Sequence, residues 1–398
     1  MRSFAVLYLL VAVAFASQQA LNPVLAPLAR ETQLAEWQIG LIISSAAVMV
    51  VATSVFWGRT ATRVGPRPVL LIAFSVAAGA MGLFAVAVLA VIDSLITTEL
   101  AFVLFLVSRG LLFGAALAAV GPTVQAVVAA RTSAGPDRVA AIAGIGAAQG
   151  ASIVLGAAAG AALGALGLLV PLVVVPVVLA VGALMVVLAV PARESAVDNT
   201  PAAKVSLADP RVRGFLLAGF LLYSALGFIQ LLIGFVIVDR FELASSTATA
   251  FTGIALATAG VGVIIAQAVL VPRLKWKPRR LIIVGSTVAA LTVATLIAPL
   301  PLWITVTVVG LAGLSIGLAA PGVTAGATLR ANAGEQGAIA GLTGAVIASS
   351  FIVAPTLSTA LYAVSPVLSF SVASVLLLAA TAVATLSRGV RDSDRAFG

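Results

Sequence analysis

Residues 68–92 read PVLLIAFSVAAGAMGLFAVAVLAVI, a run without a single charged side chain. A helix that crosses a bilayer needs about 20 consecutive apolar residues, whereas a membrane β-strand needs roughly ten residues of alternating polarity. The run is long enough for the helix, and its polarity does not alternate. It therefore predicts a transmembrane α-helix.

The composition indicates that most of the chain is of this kind. Of its 398 residues, 62% are hydrophobic and 9% are charged, whereas about 25% of the residues in soluble domains are charged. The apolar runs predict an all-α integral membrane protein with twelve transmembrane helices. The predicted spans are 3–28, 37–57, 68–92, 100–130, 138–164, 166–191, 214–238, 246–271, 281–300, 302–329, 337–363 and 367–387.

The basic residues predict the orientation of these spans. With a cytoplasmic N-terminus, 19 of the 22 Lys and Arg residues fall on the inner side, the outer loops hold Arg30 and Arg240, and Arg109 lies inside a span. This bias is the one that the positive-inside rule describes. Sparse lysines and abundant Ala, Val, Gly and Arg are typical of a GC-rich bacterial source. We therefore expect a multi-pass protein of a bacterial inner (plasma) membrane with both termini cytoplasmic.

The first residues also have features of a secretory signal. Arg2 precedes an apolar run, and Ala14-Phe15-Ala16 resembles a cleavage site. The apolar run continues to Leu28, however, and its removal would leave an odd number of helices. We expect the segment to stay as the first span.

The longest polar stretch between spans divides the chain into two halves. A shift of 212 residues places Arg63 on Lys275 and Arg67 on Arg279, so the halves look related. Parallel six-helix repeats of this kind occur in secondary transporters, with the substrate site between them. The predicted divisions are a six-helix bundle at 1–191, a cytoplasmic linker at 192–213, and a pseudo-symmetric six-helix bundle with a short cytoplasmic tail at 214–398.

The loop between the second and third spans carries the most specific motif. Residues 58–68 read GRTATRVGPRP, and this loop resembles the G-x-x-x-D-R-x-G-R-[RK] pattern of the major facilitator superfamily. We think in particular of the twelve-helix drug-efflux branch, the drug:proton antiporters. Thr62 replaces the acidic residue of that pattern and Pro66 replaces a basic one.

The resemblance implies a role for this loop in conformational gating. In the family it helps to hold the cytoplasmic side closed, and Glu335 is a candidate partner for its arginines here. Glycines would serve at the bends of a tight turn. The alternative is a positive-inside loop with a glycine turn and no gating role. The gating candidates are Gly58, Arg59, Arg63, Gly65, Arg67 and Glu335.

Arg109 is the one charge well inside a predicted span. A charge at mid-bilayer costs at least about 2.5–3.5 kcal/mol, so such residues are often functional. Drug-efflux members of the family carry a similar R-x-x-x-G pattern, implicated in proton coupling, with the glycine one residue earlier than Gly114. The alternative is an arginine that snorkels outward or binds backbone carbonyls.

Glycines recur in the fifth span, including Gly156 and Gly160. Close glycine spacing lets helices pack tightly. Antiporters of the family often have G-P-x-x-G-G there, and the proline is missing here. Helix packing is the favoured interpretation.

Polar side chains within spans are candidates for the substrate path, because a buried amide needs a partner. The alternative for each is a hydrogen bond between helices. We expect an otherwise apolar cavity, with Phe15, Phe113 and Phe228 as possible contributors, which suits lipophilic substrates. The substrate-binding candidates are Gln18, Gln19, Asn22, Arg109, Gln125, Gln149, Tyr223 and Gln230.

The residue types exclude several kinds of chemistry. The chain has no Cys and no His, so disulfides, thiolate or imidazole metal sites and His-based triads are excluded. No carboxylate lies deep in a predicted span, and no Walker A motif is present. We expect no cofactor, no metal, no catalytic residues and no enzymatic activity.

These features predict a secondary transporter. The first hypothesis is proton-coupled export of small lipophilic or amphipathic compounds; the alternative is uptake or facilitated transport of a small anionic metabolite with Arg109 as counter-charge. An intramembrane enzyme and a non-transporting receptor are less favoured. The expected partners are a small-molecule substrate, the lipid bilayer and protons, with the chain as a monomer. The net charge of +9 is explained by loop topology rather than by nucleic acid.

Overall fold

The computed structural model describes residues 2–132, 136–190, 205–330 and 335–391, and the regular secondary structure of this part is entirely helical. Each of the twelve predicted spans corresponds to one helix, which confirms the all-helical prediction. The uninterrupted helices are α2 (Glu36–Val64), α3 (Pro66–Ile92), α5 (Pro136–Leu166), α6 (Val170–Ala189), α7 (Arg213–Phe241), α9 (Pro278–Thr295), α10 (Leu302–Leu329), α11 (Gln336–Val364) and α12 (Pro366–Leu386).

Three helices change geometry along their length. Helix α1 runs through Arg2–Leu21, a 3-10 turn at Asn22–Val24, and Leu25–Glu31. Helix α4 comprises Thr98–Phe105, a π-helical segment at Leu106–Leu112, and Phe113–Arg131. Helix α8 comprises Ser245–Ile265, a second π-helical segment at Ala266–Leu270, and Val271–Leu274.

Within the described residues, eleven helices are long and apolar enough to cross a membrane. The exception is α9, which has 18 residues and begins with Arg279 and Arg280 in its first turn. These charges shorten its apolar part, although Leu296 and Ile297 prolong the apolar run beyond the helix end.

Several predicted boundaries are wrong: the second span was expected to end at residue 57 and the ninth at residue 300, whereas α2 ends at Val64 and α9 at Thr295. The sixth span was expected from residue 166, but α5 ends at Leu166 and α6 begins only at Val170. Gly167 has a φ of 152°, a conformation that side chains rarely adopt. The glycine therefore forms a turn where the apolar sequence suggested helix.

The chain divides into two compact units. The first contains α1–α6 together with the first turns of α8, and the second contains α7, the rest of α8 and α9–α12. Within the first unit, Gly164 of α5 packs against Thr249 of α8, and Glu31 accepts a hydrogen bond from the Ser245 hydroxyl. These contacts fix the first turns of α8 onto the ends of α1 and α5.

Small residues bring α1 and α5 together in the first unit. A Cβ atom at Gly156 would lie 2.6 Å from the carbonyl oxygen of Ala16, and one at Gly160 would collide with that of Ala20. Small residues spaced four apart let two backbones approach closely. The packing interpretation of the fifth-span glycines is therefore confirmed.

In the second unit, α7 is the central helix. It packs against α10, α11 and α12, and residues 231–237 are all buried. Helices α9 and α10 also pack closely, because Gly285 of α9 faces the backbone of α10 at Ser315 and Ala319.

Candidate functional site

Arg109 lies in the π-helical segment of α4, which packs against α2 and α3. Its side chain is 1% exposed, and its guanidinium carbon lies 4.8 Å from the centre of the Phe113 ring. Its Nε atom has no partner among the described residues. A buried charged group that lacks a hydrogen bond is costly, and a cation–π contact offsets part of that cost. π-helical segments are frequent at functional sites.

The helix next to this segment leaves no room around Arg109. A Cβ atom at the adjacent Gly110 would collide with the Ser45 hydroxyl of α2, and one at Gly114 would lie 2.6 Å from the carbonyl oxygen of Ala46. Glycine at both positions thus permits α2 to cover Arg109. In this conformation the charge is enclosed by protein.

The polar residues of α1 are more open than Arg109. Gln18, Gln19 and Asn22 are all half-buried. The side-chain amide of Asn22 donates to Oε1 of Gln19 at 3.2 Å. The 3-10 turn begins at Asn22 because Pro23 follows it and provides no backbone N–H for the helix.

Gln149 belongs to the helix that packs against this part of α1. It is half-buried and lies seven residues before Gly156 on α5, hence on the same helical face. Gly156 in turn contacts the Cβ atom of Gln19. The structure thus places Gln19, Asn22 and Gln149 along the seam between α1 and α5.

The in-span glutamines of α4 and of α8 are exposed. They are Gln125, which was a substrate-binding candidate, and Gln267, which was not and lies in the π-helical segment of α8.

In the second unit, Tyr223 and Gln230 are half-buried although their helix, α7, is otherwise mostly buried. Together with Leu226 they form a stripe with spacings of three and four residues, which is one face of a helix. This stripe is the open side of α7.

Two aromatic residues expected to contribute to a cavity wall do not do so. Phe113 and Phe228 are both fully buried. Their rings fill the helix-packed core because large apolar side chains gain most from complete burial. Phe15 is half-buried, and its contribution to a cavity wall stays a prediction.

The loop motif between α2 and α3 is partly as expected. Gly65 has a φ of 92° and links the two helices, so it requires glycine. Gly58 was also expected at a bend, but this was wrong, because α2 continues unbroken to Val64. Arg59 and Arg63 are exposed, and Arg67 donates to the carbonyl oxygen of Val187 at 2.7 Å.

Glu335 forms an ion pair with Arg211, a partner that the sequence did not suggest. Nη1 and Nη2 of Arg211 donate to the two carboxylate oxygens of Glu335 at 3.0 and 3.3 Å, and Arg211 also binds Asp209 at 2.7 Å. These bonds from Arg211 lower the pKa of Asp209, and the charge of Arg330 adds to the effect. The spacing of Asp209 and Arg211 in the linker was a sequence signal for their own pairing, but Glu335 lies 124 residues after Arg211 and could not be found in this way.

Acidic groups lie near the ends of the helices. Glu36 forms an ion pair with Arg30 at 2.6 Å, and Asp239 accepts a hydrogen bond from the Tyr362 hydroxyl at 3.0 Å. Glu242 follows the end of α7 in a left-handed conformation. Such groups can bind protons, although none of the three lies in the middle of a helix.

A family model described as Major Facilitator Superfamily matches residues 7–355. The chain belongs to the major facilitator superfamily. The predicted major facilitator fold is thus confirmed, and the family points to a membrane transporter rather than an enzyme. The drug-efflux branch within the family remains a prediction.

Solved major facilitator structures share this fold. A bacterial homolog of the human lysosomal transporter Spinster, in an inward-facing and occupied conformation, has a TM-score of 0.73 at 13% identity, covering 100% of this chain and 96% of its own. The nucleoside transporter NupG has a TM-score of 0.73 at 13% identity, covering 98% and 99%. The human organic anion transporter MFSD10 (TETRAN) has a TM-score of 0.65 at 18% identity, covering 96% and 99%. No curated protein matches the chain by sequence.

Proposed function

We propose that this major facilitator protein is a secondary active transporter that exports small lipophilic or amphipathic compounds by alternating access. One observation carries the proposal. The half-buried substrate-path candidates on α1, α5 and α7 are uncharged, whereas Arg109 is 1% exposed. Binding sites with a few neutral polar groups among apolar side chains suit such substrates.

In this proposal the neutral groups orient the substrate. Gln19 and Asn22 already satisfy one another in part through their hydrogen bond. A substrate with a hydrogen-bonding group can replace that bond with one of its own at little cost in free energy. Residues 1–191 and 214–398 act as the two halves in a bacterial inner membrane, with both termini cytoplasmic and one chain as the working unit.

Protons are the proposed driving ion. Glu36, Asp239 and Glu242 are the candidate carriers, since they lie at the helix ends predicted to face outside. Their protonation would have to differ between the two conformations, because only a differential affinity can shift an equilibrium.

A second candidate is the transport of a small anionic metabolite with Arg109 as counter-charge. Its support is the Arg109 Nε atom, which is buried and has no partner among the described residues. An anion reaching this group would supply the missing acceptor, but α2 would first have to move away from Gly110. The structural neighbours do not decide the matter, because one fold serves many substrates.

The test is the accumulation of a fluorescent lipophilic cation in an efflux-deficient bacterium that expresses the chain. We expect lower accumulation, abolished by an uncoupler and reduced in effect by Gln19→Ala or Gln230→Ala. Gln267→Ala is the matched control, because it removes an in-span glutamine that was not assigned to the path. Arg109→Ala reports on the buried charge in the same assay.

The outcomes separate the two candidates. Equal accumulation with and without well-expressed protein would contradict export of lipophilic cations. Uptake of a labelled small carboxylate that is lost in Arg109→Ala would favour the anionic alternative.

A further inference from the structure

A crevice of about 1110 Å³ opens in the second compact unit, where α7 begins and α12 ends. Its walls are mainly apolar side chains of α7, α11 and α12, including Leu217, Phe220, Val346 and Leu386. Small-molecule sites usually have volumes of roughly 300–1,000 Å³. The crevice is thus large enough for part of a lipid.

Two close contacts bound the crevice at the end where α7 begins. A Cβ atom at Gly214 would collide with the side chain of Ser387, and one at Gly389 would lie 2.5 Å from the carbonyl oxygen of Pro210. The start of α7 and the residues after α12 are therefore packed directly against each other. The apolar space of the crevice ends at these contacts.

The same end of the crevice is positively charged. Arg213 and Arg388 line it, and both side chains are exposed. No acidic side chain lines the crevice among the residues that the structure describes. Arg213 is also the first residue of α7, where the helix dipole adds a partial positive charge.

Neighbouring arginines have protein partners, whereas these two have none in the described part of the chain. Arg211 binds Asp209 and Glu335, and Arg391 donates to the carbonyl oxygen of Thr385 at 2.7 Å. The guanidinium groups of Arg213 and Arg388 are thus available to an external anion. Arginine binds phosphate oxygens through paired hydrogen bonds.

We propose that this crevice binds an anionic phospholipid of the cytoplasmic leaflet, with its phosphate at Arg213 and Arg388 and an acyl chain along the apolar wall. The helix ends that form the crevice are those predicted to face the cytoplasm, where anionic headgroups and basic pockets between transmembrane helices meet. The charged end and the apolar wall match the two parts of such a lipid. None of the residues that line the crevice is among the export-path candidates on α1, α5 and α7.

Another basic region provides a matched control. Lys275 and Lys277 lie in the turn between α8 and α9, and Arg280 in the first turn of α9 stacks at 4.3 Å on the Trp276 ring. General attraction of anionic lipid to basic loops would depend on this turn as much as on the crevice. Binding to a specific site in the crevice would not depend on this turn.

The absence of cysteine from the chain permits a direct measurement. Leu217→Cys in the full-length protein carries a fluorophore on the crevice wall, and phosphatidylcholine vesicles contain either brominated phosphatidylglycerol or brominated phosphatidylcholine. We expect half-maximal quenching at a much lower mole fraction of the phosphatidylglycerol. Each arginine should contribute about fivefold and the two together roughly 30-fold.

Variants assign this preference to the crevice. Arg213→Gln with Arg388→Gln should remove the preference, and Arg213→Lys with Arg388→Lys should keep most of it. Lys275→Gln with Lys277→Gln should leave it intact, and Ala382→Trp should reduce quenching by both lipids. Equal quenching by the two lipids would overturn the proposal, as would an equal loss of preference in the Lys275 and Lys277 variant. Monodisperse elution and an unchanged Tm of each variant separate these outcomes from misfolding.

Discussion

Adding one methyl group at Gly160 tests the packing of α1 against α5. The Cβ atom of Gly160→Ala would collide with the Ala20 backbone, including its carbonyl oxygen. Backbone atoms cannot rotate aside as a side chain can, so the two helices must separate. Overpacking of this kind costs about 1–3 kcal/mol, and the purified protein should melt a few degrees lower.

Gly150→Ala provides the control within the same helix. A Cβ atom at Gly150 meets nothing within 4 Å. Alanine is also the better helix former by about 0.5–1 kcal/mol, so this variant should melt at the wild-type temperature or slightly above. Thermal unfolding of both variants in one detergent makes the comparison. Equal melting temperatures for the two variants would refute the close contact between α1 and α5.

Three further predictions concern the rest of the fold. Gly65→Ala should lower the Tm, because its φ of 92° costs a side chain about 1–3 kcal/mol, whereas Gly58→Ala should not, since its Cβ would meet Pro122 at an ordinary 3.8 Å; equal effects would contradict the assigned turn. Trp57→Phe should destabilise by about 0.5–1.5 kcal/mol in thermal unfolding, because the indole N–H donates to the Ala115 carbonyl oxygen at 2.8 Å, and an unchanged Tm would argue against that bond. Arg211 lowers the pKa of Asp209, so the stability that this pair contributes is complete above the unfolded pKa of Asp209, about 3.9, and is lost as the pH falls through its lower folded pKa. The loss of Tm between pH 6 and pH 3 should therefore be smaller in Arg211→Gln than in the wild type. Identical pH profiles of the two proteins would be evidence against the pairing.

The sequence predicted those features of the fold that depend on local composition. In the part of the chain that the structure describes, each of the twelve predicted apolar runs has its helix, because length and hydropathy decide which segments can cross a bilayer. Gly65 was correctly placed at a turn because few residues tolerate its backbone conformation. Gly58 and the start of α6 were wrong, since glycine within a helix and apolar residues within a turn look alike in sequence.

The features that depend on distant contacts were not predictable. The π-helical segment around Arg109 has no known local signature, although the residue itself was conspicuous. The bond from Arg211 to Glu335 joins two segments far apart in the chain. The complete burial of Phe113 and Phe228 likewise depends on the helices packed around them.

Flux through purified protein in proteoliposomes tests the proposed transport most directly. With an imposed proton gradient, we predict movement of a lipophilic fluorescent cation that exceeds that in protein-free vesicles and is reduced several-fold by Gln19→Ala or Gln230→Ala but not by Gln267→Ala. Movement of a small labelled carboxylate in place of the cation, lost in Arg109→Ala, would contradict this account and assign the chain to anion transport.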